Sequence, residues 1–151
     1  LKTVRTLFQD QEFSDLLSVE NIEADGPEFK NSAEYLSEKR RTADEAFQKL
    51  EEMAGEEMIM AAIEKKGQSS YFEQLYRKLA LENLRVNFMY SAEELRAAKE
   101  SVEAMIASRE EAVTFLSEHQ SNWKLEDGKL KFDSDDLLSQ YNDLAAAISQ
   151  Q

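Results

Sequence analysis

Apolar residues recur along this chain with two different periods. Over most of its 151 residues they step by threes and fours, the mark of helices with one greasy stripe, and only between Trp123 and Phe132 do they alternate with polar ones. In residues 1–19, Val4, Leu7, Phe8, Phe13, Leu16 and Leu17 fall near helical spacing and predict a first helix. The segment Asn21-Ile22-Glu23-Ala24-Asp25-Gly26-Pro27 alone holds both Gly and Pro and reads as a linker. Pro27 then suits the first position of a second helix over 27–66. Its seam runs Phe29, Ala33, Leu36, Arg40, Ala43, Phe47, Leu50, Ala54, alternating steps of four and three. That repeat implies packing along its length on another helix. The step to Met58 is a stutter, and with Gly55 beside it predicts a straightened or bent stretch. Lys65-Lys66-Gly67 reads as the stop.

Ser70-Tyr71-Phe72-Glu73 fits a capping box, which starts a third helix over 71–119. Leu81, Leu84, Phe88, Ser91, Leu95, Ala98, Val102, Met105, Arg109, Ala112 and Leu116 keep an unbroken three–four register, so the helix is expected to run through a second capping box at Ser91-Ala92-Glu93-Glu94. A parallel stripe of Phe72, Leu75, Leu79, Val86 and Met89 predicts burial on two sides in the first half and on one side in the second. The short turn makes these two helices antiparallel, about 60 and 70 Å long. Around Asp127-Gly128, the alternation of Trp123, Leu125, Leu130 and Phe132 predicts a β-hairpin over 123–132 whose apolar face docks on the helices. Asp133 or Ser134 then caps a last helix over 134–150, with Leu137, Leu138, Tyr141, Leu144, Ala145 and Ile148 on its apolar face. The expected fold is all-α: one domain over 1–151, an elongated antiparallel helical bundle with a long helical hairpin and one small β-hairpin near the C-terminus.

Composition narrows the chemistry. No Cys and one His argue against disulfides, thiol catalysis and cysteine- or histidine-built metal centres. A net charge of −13, from 31 acids against 18 bases, repels phosphate backbones and makes nucleic acid a poor partner. No apolar run is long enough to cross a bilayer. The chain opens at Leu1 without Met or a signal peptide, as a trimmed or mature fragment would.

Residues 115–148 carry a likeness. The order is helix end, polar gap, a strand with Trp123 and Leu125, the turn Asp127-Gly128, a strand with Leu130 and Phe132, then a capped helix with Tyr141, Asn142 and Leu144. This resembles the C-terminal region of bacterial cell-envelope lipoproteins of unknown function, of the cell-wall-binding lipoprotein type. The resemblance implies a helical bundle, an extracytoplasmic address and tethering through a lipidated Cys upstream of this chain. It implies no activity and no catalytic residues.

The candidate chemistry is sparse. His119 has Leu116 three residues before it, so a Glu-x-x-His ligand pair is lacking, and its place near a helix end suits the dipole. Asp133-Ser134-Asp135 starts like a calcium loop, but Leu138 stands where the turn glycine belongs. Glu51-Glu52 and Glu56-Glu57 read as solvated pairs, and a carboxylate enzyme would need two acids with divergent pKa values in one cleft. No cofactor is expected. Arg40 and Arg109 stand at seam positions, where the ordinary arrangement lays the stem across the seam with the head in water. The sharper reading makes them partner-binding or register-setting residues. Tyr71 and Tyr76, off the main seam, are candidates for lining a groove. These features point to a non-enzymatic cell-envelope protein, structural or adaptor-like, that presents helix faces to a protein or cell-wall component. The alternative is a cytoplasmic acidic chaperone or secretion adaptor for amphipathic clients. Homodimerisation through the second half of the third helix is a further expectation.

Overall fold

The structure, a computed structural model, describes residues 10–54, 74, 75, 78, 79, 82 and 92–150. Among them are five helices, α1 (Gln11–Asp15), α2 (Val19–Asp25), α3 (Lys30–Ala54), α4 (Ala92–Glu118) and α5 (Asp135–Ser149), with one antiparallel pair, β1 (Trp123–Glu126) and β2 (Lys129–Phe132). The helical bundle with a small β-hairpin is thus the observed architecture. The chain divides into two compact units, residues 1–43 with 101–151, and residues 44–100. The turn at 67–70, the stutter at Gly55, the capping box at Ser70 and the junction at Ser91 lie outside the described residues.

In the unit formed by residues 1–43 and 101–151, α3 and α4 run antiparallel. Arg40 pairs with Glu110, while Phe29, just before α3, meets Trp123, just after α4. The core gathers Phe13, Leu16, Ile22, Phe29, Leu36, Ala43, Val102, Ile106, Ala112, Val113 and Leu116. In residues 44–100, Phe47 is buried, and Leu75 and Leu79 are 44% and 49% exposed.

The N-terminal region departs from expectation. The helix expected over 1–19 is, from residue 11 on, two short helices, and most of the expected linker is α2. Two polar side chains dictate this. Asp10 caps α1 by accepting from the Glu12 amide, and Ser18 caps α2 by accepting from the Asn21 amide, so each starts a new helix where hydrophobic spacing alone reads continuity. Gly26 ends α2. Its amide donates to Ile22 O at 3.0 Å, and a Cβ there would sit 2.6 Å from that same oxygen.

Pro27 is not the first residue of α3. It lies in a turn, after a cis Gly26–Pro27 peptide, and the helix begins at Lys30. Phe29 takes a left-handed conformation (φ 52°) with its side chain fully buried. For a bulky residue that costs on the order of 1–2 kcal/mol, offset by burial of the ring. Because Phe29 is off the helix, counting by four from it fails. Ala33 is exposed, and Ser32 occupies the core-facing place. The buried Ser32 hydroxyl accepts from Asn21 Nδ2 at 3.1 Å. Asp25, at the end of α2, caps α3 with both oxygens, accepting from the Asn31 amide at 3.0 Å and the Ser32 amide at 2.7 Å.

Past Ser101, α4 is buried more broadly than one seam. Val102, Ile106, Arg109, Ala112, Val113 and Leu116 span a face about 120° wide. Beside it, Phe115 meets Phe132 at 6.1 Å and Tyr141 at 6.5 Å. The one-sided burial expected of this half is therefore corrected, because the hairpin and α5 dock along a second stripe.

The hairpin matches its pattern closely. Trp123 pairs with Phe132 and Leu125 with Leu130. Asp127 (φ 53°) and Gly128 (φ 68°) supply the two positive φ values that a tight two-residue turn requires. Lys124 and Lys131 face each other, a repulsive pairing. Glu126 bridges them at 2.7 and 2.6 Å, and these two lysines hold its carboxyl at about 2. The Trp123 indole donates to Leu116 O at 2.7 Å, satisfying one of the orphan carbonyls at the end of α4. Ser134, not Asp133, caps α5.

Two predictions follow from these joints. Replacing Asp25 with Ala leaves the first amides of α3 without their acceptor and is expected to cost about 1–2 kcal/mol in urea unfolding. Burial pushes the Asp25 carboxyl up, but hydrogen bonds from Ser32 and Asn31 outweigh it and hold the group below its ordinary value of 3.8. Its contribution is thus complete above that value and fades as pH falls below it, so the wild type loses its margin over D25A in strongly acid solution. In the hairpin, Gly128→Ala has open space for its methyl group but the wrong φ, and should lower stability by about 1 kcal/mol without changing helix content by circular dichroism.

Candidate partner-binding groove

The second stripe of α4 continues past the aromatic cluster. Ala107, Glu110, Glu111, Thr114, Phe115 and Glu118, at i, i+3, i+4, i+7, i+8 and i+11, form one wall of an open groove of about 710 Å³. Gln140, Asp143 and Leu144, one turn of α5, form the other. Tyr141 sets the spacing between the walls. It stacks on Phe115 and lies 5.4 Å from Phe132, and burial raises its hydroxyl pKa above the ordinary tyrosine range. No side chain of α5 is fully buried; Leu137, Leu144, Ala145 and Ile148 are half-buried, and Leu138 is 38% exposed. The apolar face expected for this helix is present but only partly covered.

The rim of the groove is acidic. Glu110 is paired with Arg40, through Nε at 3.2 Å and Nη2 at 2.5 Å. Glu111, Glu118 and Asp143 are exposed. Within 107–118 the one basic side chain is Arg109, which is buried, and α5 has no basic residue at all.

The four candidate residues fare differently. Arg40 keeps its side chain 40% exposed, with its head held by Glu110 rather than by water alone. Arg109 does not keep its head in water. It is 9% exposed, donates through Nε to Phe13 O at 3.2 Å and through Nη1 to Met105 O at 2.9 Å, and lies 4.1 Å above the Phe13 ring. Burial pulls its pKa below the usual arginine value, while the carbonyls and the ring face stabilise the cation. This guanidinium ties α1 to α4 from inside the fold. Tyr71 and Tyr76 lie outside the described residues.

A second polar knot fastens the same N-terminal segment. Asp10 accepts from Lys39 Nζ at 2.5 Å and from the Tyr35 hydroxyl at 3.0 Å. The Lys39 bond, then the Tyr35 bond, holds the Asp10 carboxyl below its ordinary value, and burial next to that carboxylate raises Tyr35. His119 packs its ring on Phe115 at 4.6 Å. Asp133 and Asp135 flank the Ser134 cap, and among the described residues no three His, Cys, Asp or Glu converge on a metal-sized site. Glu51 and Glu52 are exposed, as expected of solvated acids. No helix among the described residues is long and apolar enough to cross a membrane.

The groove walls were not singled out by sequence reasoning. Their signal was present in the i, i+3, i+4 spacing of Ala107, Glu110 and Glu111, and in the lack of any base on the last helix. Nothing in the pattern showed that Tyr141 would hold the two stripes together. No family model, curated protein or solved structure matches the chain.

The Arg109 tie has a measurable consequence. Arg109→Leu removes the hydrogen bonds to Phe13 O and Met105 O and the contact with the Phe13 ring. The expected loss is about 2–3 kcal/mol in denaturant unfolding. Arg109→Lys should recover less than half of it, because one ammonium does not reproduce the planar fork. A leucine variant as stable as the wild type would refute the internal role.

Proposed function

We propose that this protein is a non-enzymatic binding module of the bacterial cell envelope, acting as an adaptor that presents helix surfaces to a protein or cell-wall partner. The observation that carries the binding role is the groove between α4 and α5, where half-buried apolar side chains sit beneath acids with no basic side chain on either wall except the buried Arg109. Apolar surface left at the joint of two elements is the usual mark of an interaction site. The envelope address rests on the resemblance of residues 115–148, whose hairpin is the joint on which α5 is mounted. A lipid anchor upstream would supply the tether.

The second reading, a cytoplasmic acidic chaperone or secretion adaptor, draws on the same acid-rimmed groove, which also suits amphipathic client segments. The two differ in address. With the complete gene expressed from its native locus carrying an epitope tag, the envelope reading expects the tag in the membrane fraction and digestion by protease added to intact spheroplasts. Recovery in the soluble cytoplasm, protected from protease, would overturn the envelope address and leave the adaptor reading in its place.

A further inference from the structure

Resting on the binding-module reading, and naming the partner it left open, we propose that the α4–α5 groove takes a cationic amphipathic helix of about three turns, supplied by another protein. Length sets the first limit. From Ala107 to Glu118 the α4 wall extends about 16 Å, the rise of three helical turns.

Shape and polarity set the second. The half-buried lining combines Ala107 and Phe115 with Leu144 of α5, and exposed Thr114 completes the α4 wall. On α5, Ala145 and Ile148 continue an apolar face of which no member is fully buried. A helix laid in the groove would remove that surface from water, with anchors at i, i+3, i+4 and i+7.

Charge sets the third and selects the partner's sign. Glu111 and Glu118 rim one wall and Asp143 the other, no lining residue is basic, and Glu110 of the lining is paired with Arg40. Lysines or arginines flanking an apolar stripe meet this rim; a second copy of a chain with net charge −13 meets it with repulsion. The charge on the rim thus favours a basic segment over self-association.

The test uses the whole chain and a fluorescein-labelled fourteen-residue helix with leucines at i, i+3, i+4 and i+7 and lysines on both flanks, read by fluorescence anisotropy at physiological salt. Saturable binding is expected. The combined variant Glu111→Lys, Glu118→Lys, Asp143→Lys, all exposed sites, should weaken it roughly tenfold or more. Thr114→Arg, an exposed site on the α4 wall, should abolish it by placing a cation and its bulk where the basic helix would lie, with unchanged thermal unfolding showing that each variant is folded. Equal affinity for a scrambled peptide of the same composition would reduce the effect to non-specific charge and overturn the proposal. So would equal affinity for the peptide with glutamates in place of lysines, undiminished binding by the triple variant, or a dimer in sedimentation equilibrium that Thr114→Arg dissolves. Site-specific photo-crosslinking in cells separates this proposal from the broader one. A partner captured from a probe at Glu34 but not at Thr114 keeps the module reading and refutes the groove; capture at Thr114 of a basic helical segment supports both.

Discussion

The antiparallel pairing of α3 with α4 is the constraint on which the described structure between residues 1–43 and 101–151 depends. A stripe containing Leu36 and Ala43 and one containing Val102, Ala112 and Leu116 are buried in the same unit. Removing such stripes from water stabilises a helix pair that neither strand of sequence would hold alone, since isolated helices are marginal in water. The Arg40–Glu110 ion pair fixes the register of that pairing more than its strength, being partly exposed.

Polar ties then attach the smaller pieces to this frame, each at a backbone group that the helices leave open. Arg109 holds the carbonyl of Phe13. Asp25 supplies acceptors to the first amides of α3, and Trp123 supplies a donor to a last carbonyl of α4. Among the described residues no buried side-chain nitrogen or oxygen lacks a hydrogen-bond partner. A buried charge or hydroxyl in such a seam is tolerable only under that condition, because an unpaired one would cost as much as several apolar contacts return.

The hairpin links frame and groove. Its turn chemistry and alternation define a two-stranded unit, and Phe132 meets both Tyr141 of α5 and Phe115 of α4. One aromatic cluster thus joins α5 to α4, while the apolar face of α5 is only partly covered.

Much of the fold was legible in the sequence because it rests on local rules. Helical periodicity placed α3, α4 and α5, and Asp127-Gly128 between alternating hydrophobics placed the hairpin and its register. What local rules missed lies where a side chain serves a distant backbone group. Asp25 reads as part of a linker until it is seen capping α3; Ser32 reads as a surface residue until Phe29, turned left-handed, shifts the stripe by one position; Arg109 reads as a stem with its head in water until Phe13 folds over it. The candidate groove belongs to this second kind. Its lining residues, six on one helix and three on another more than twenty residues away, are ordinary helix-surface residues in the linear chain. Periodicity determined which face of each helix is apolar, since that follows from residues a turn apart. Only tertiary packing decided how far the faces close on one another, because that distance is set by Tyr141, Phe115 and Phe132 meeting across three separate elements.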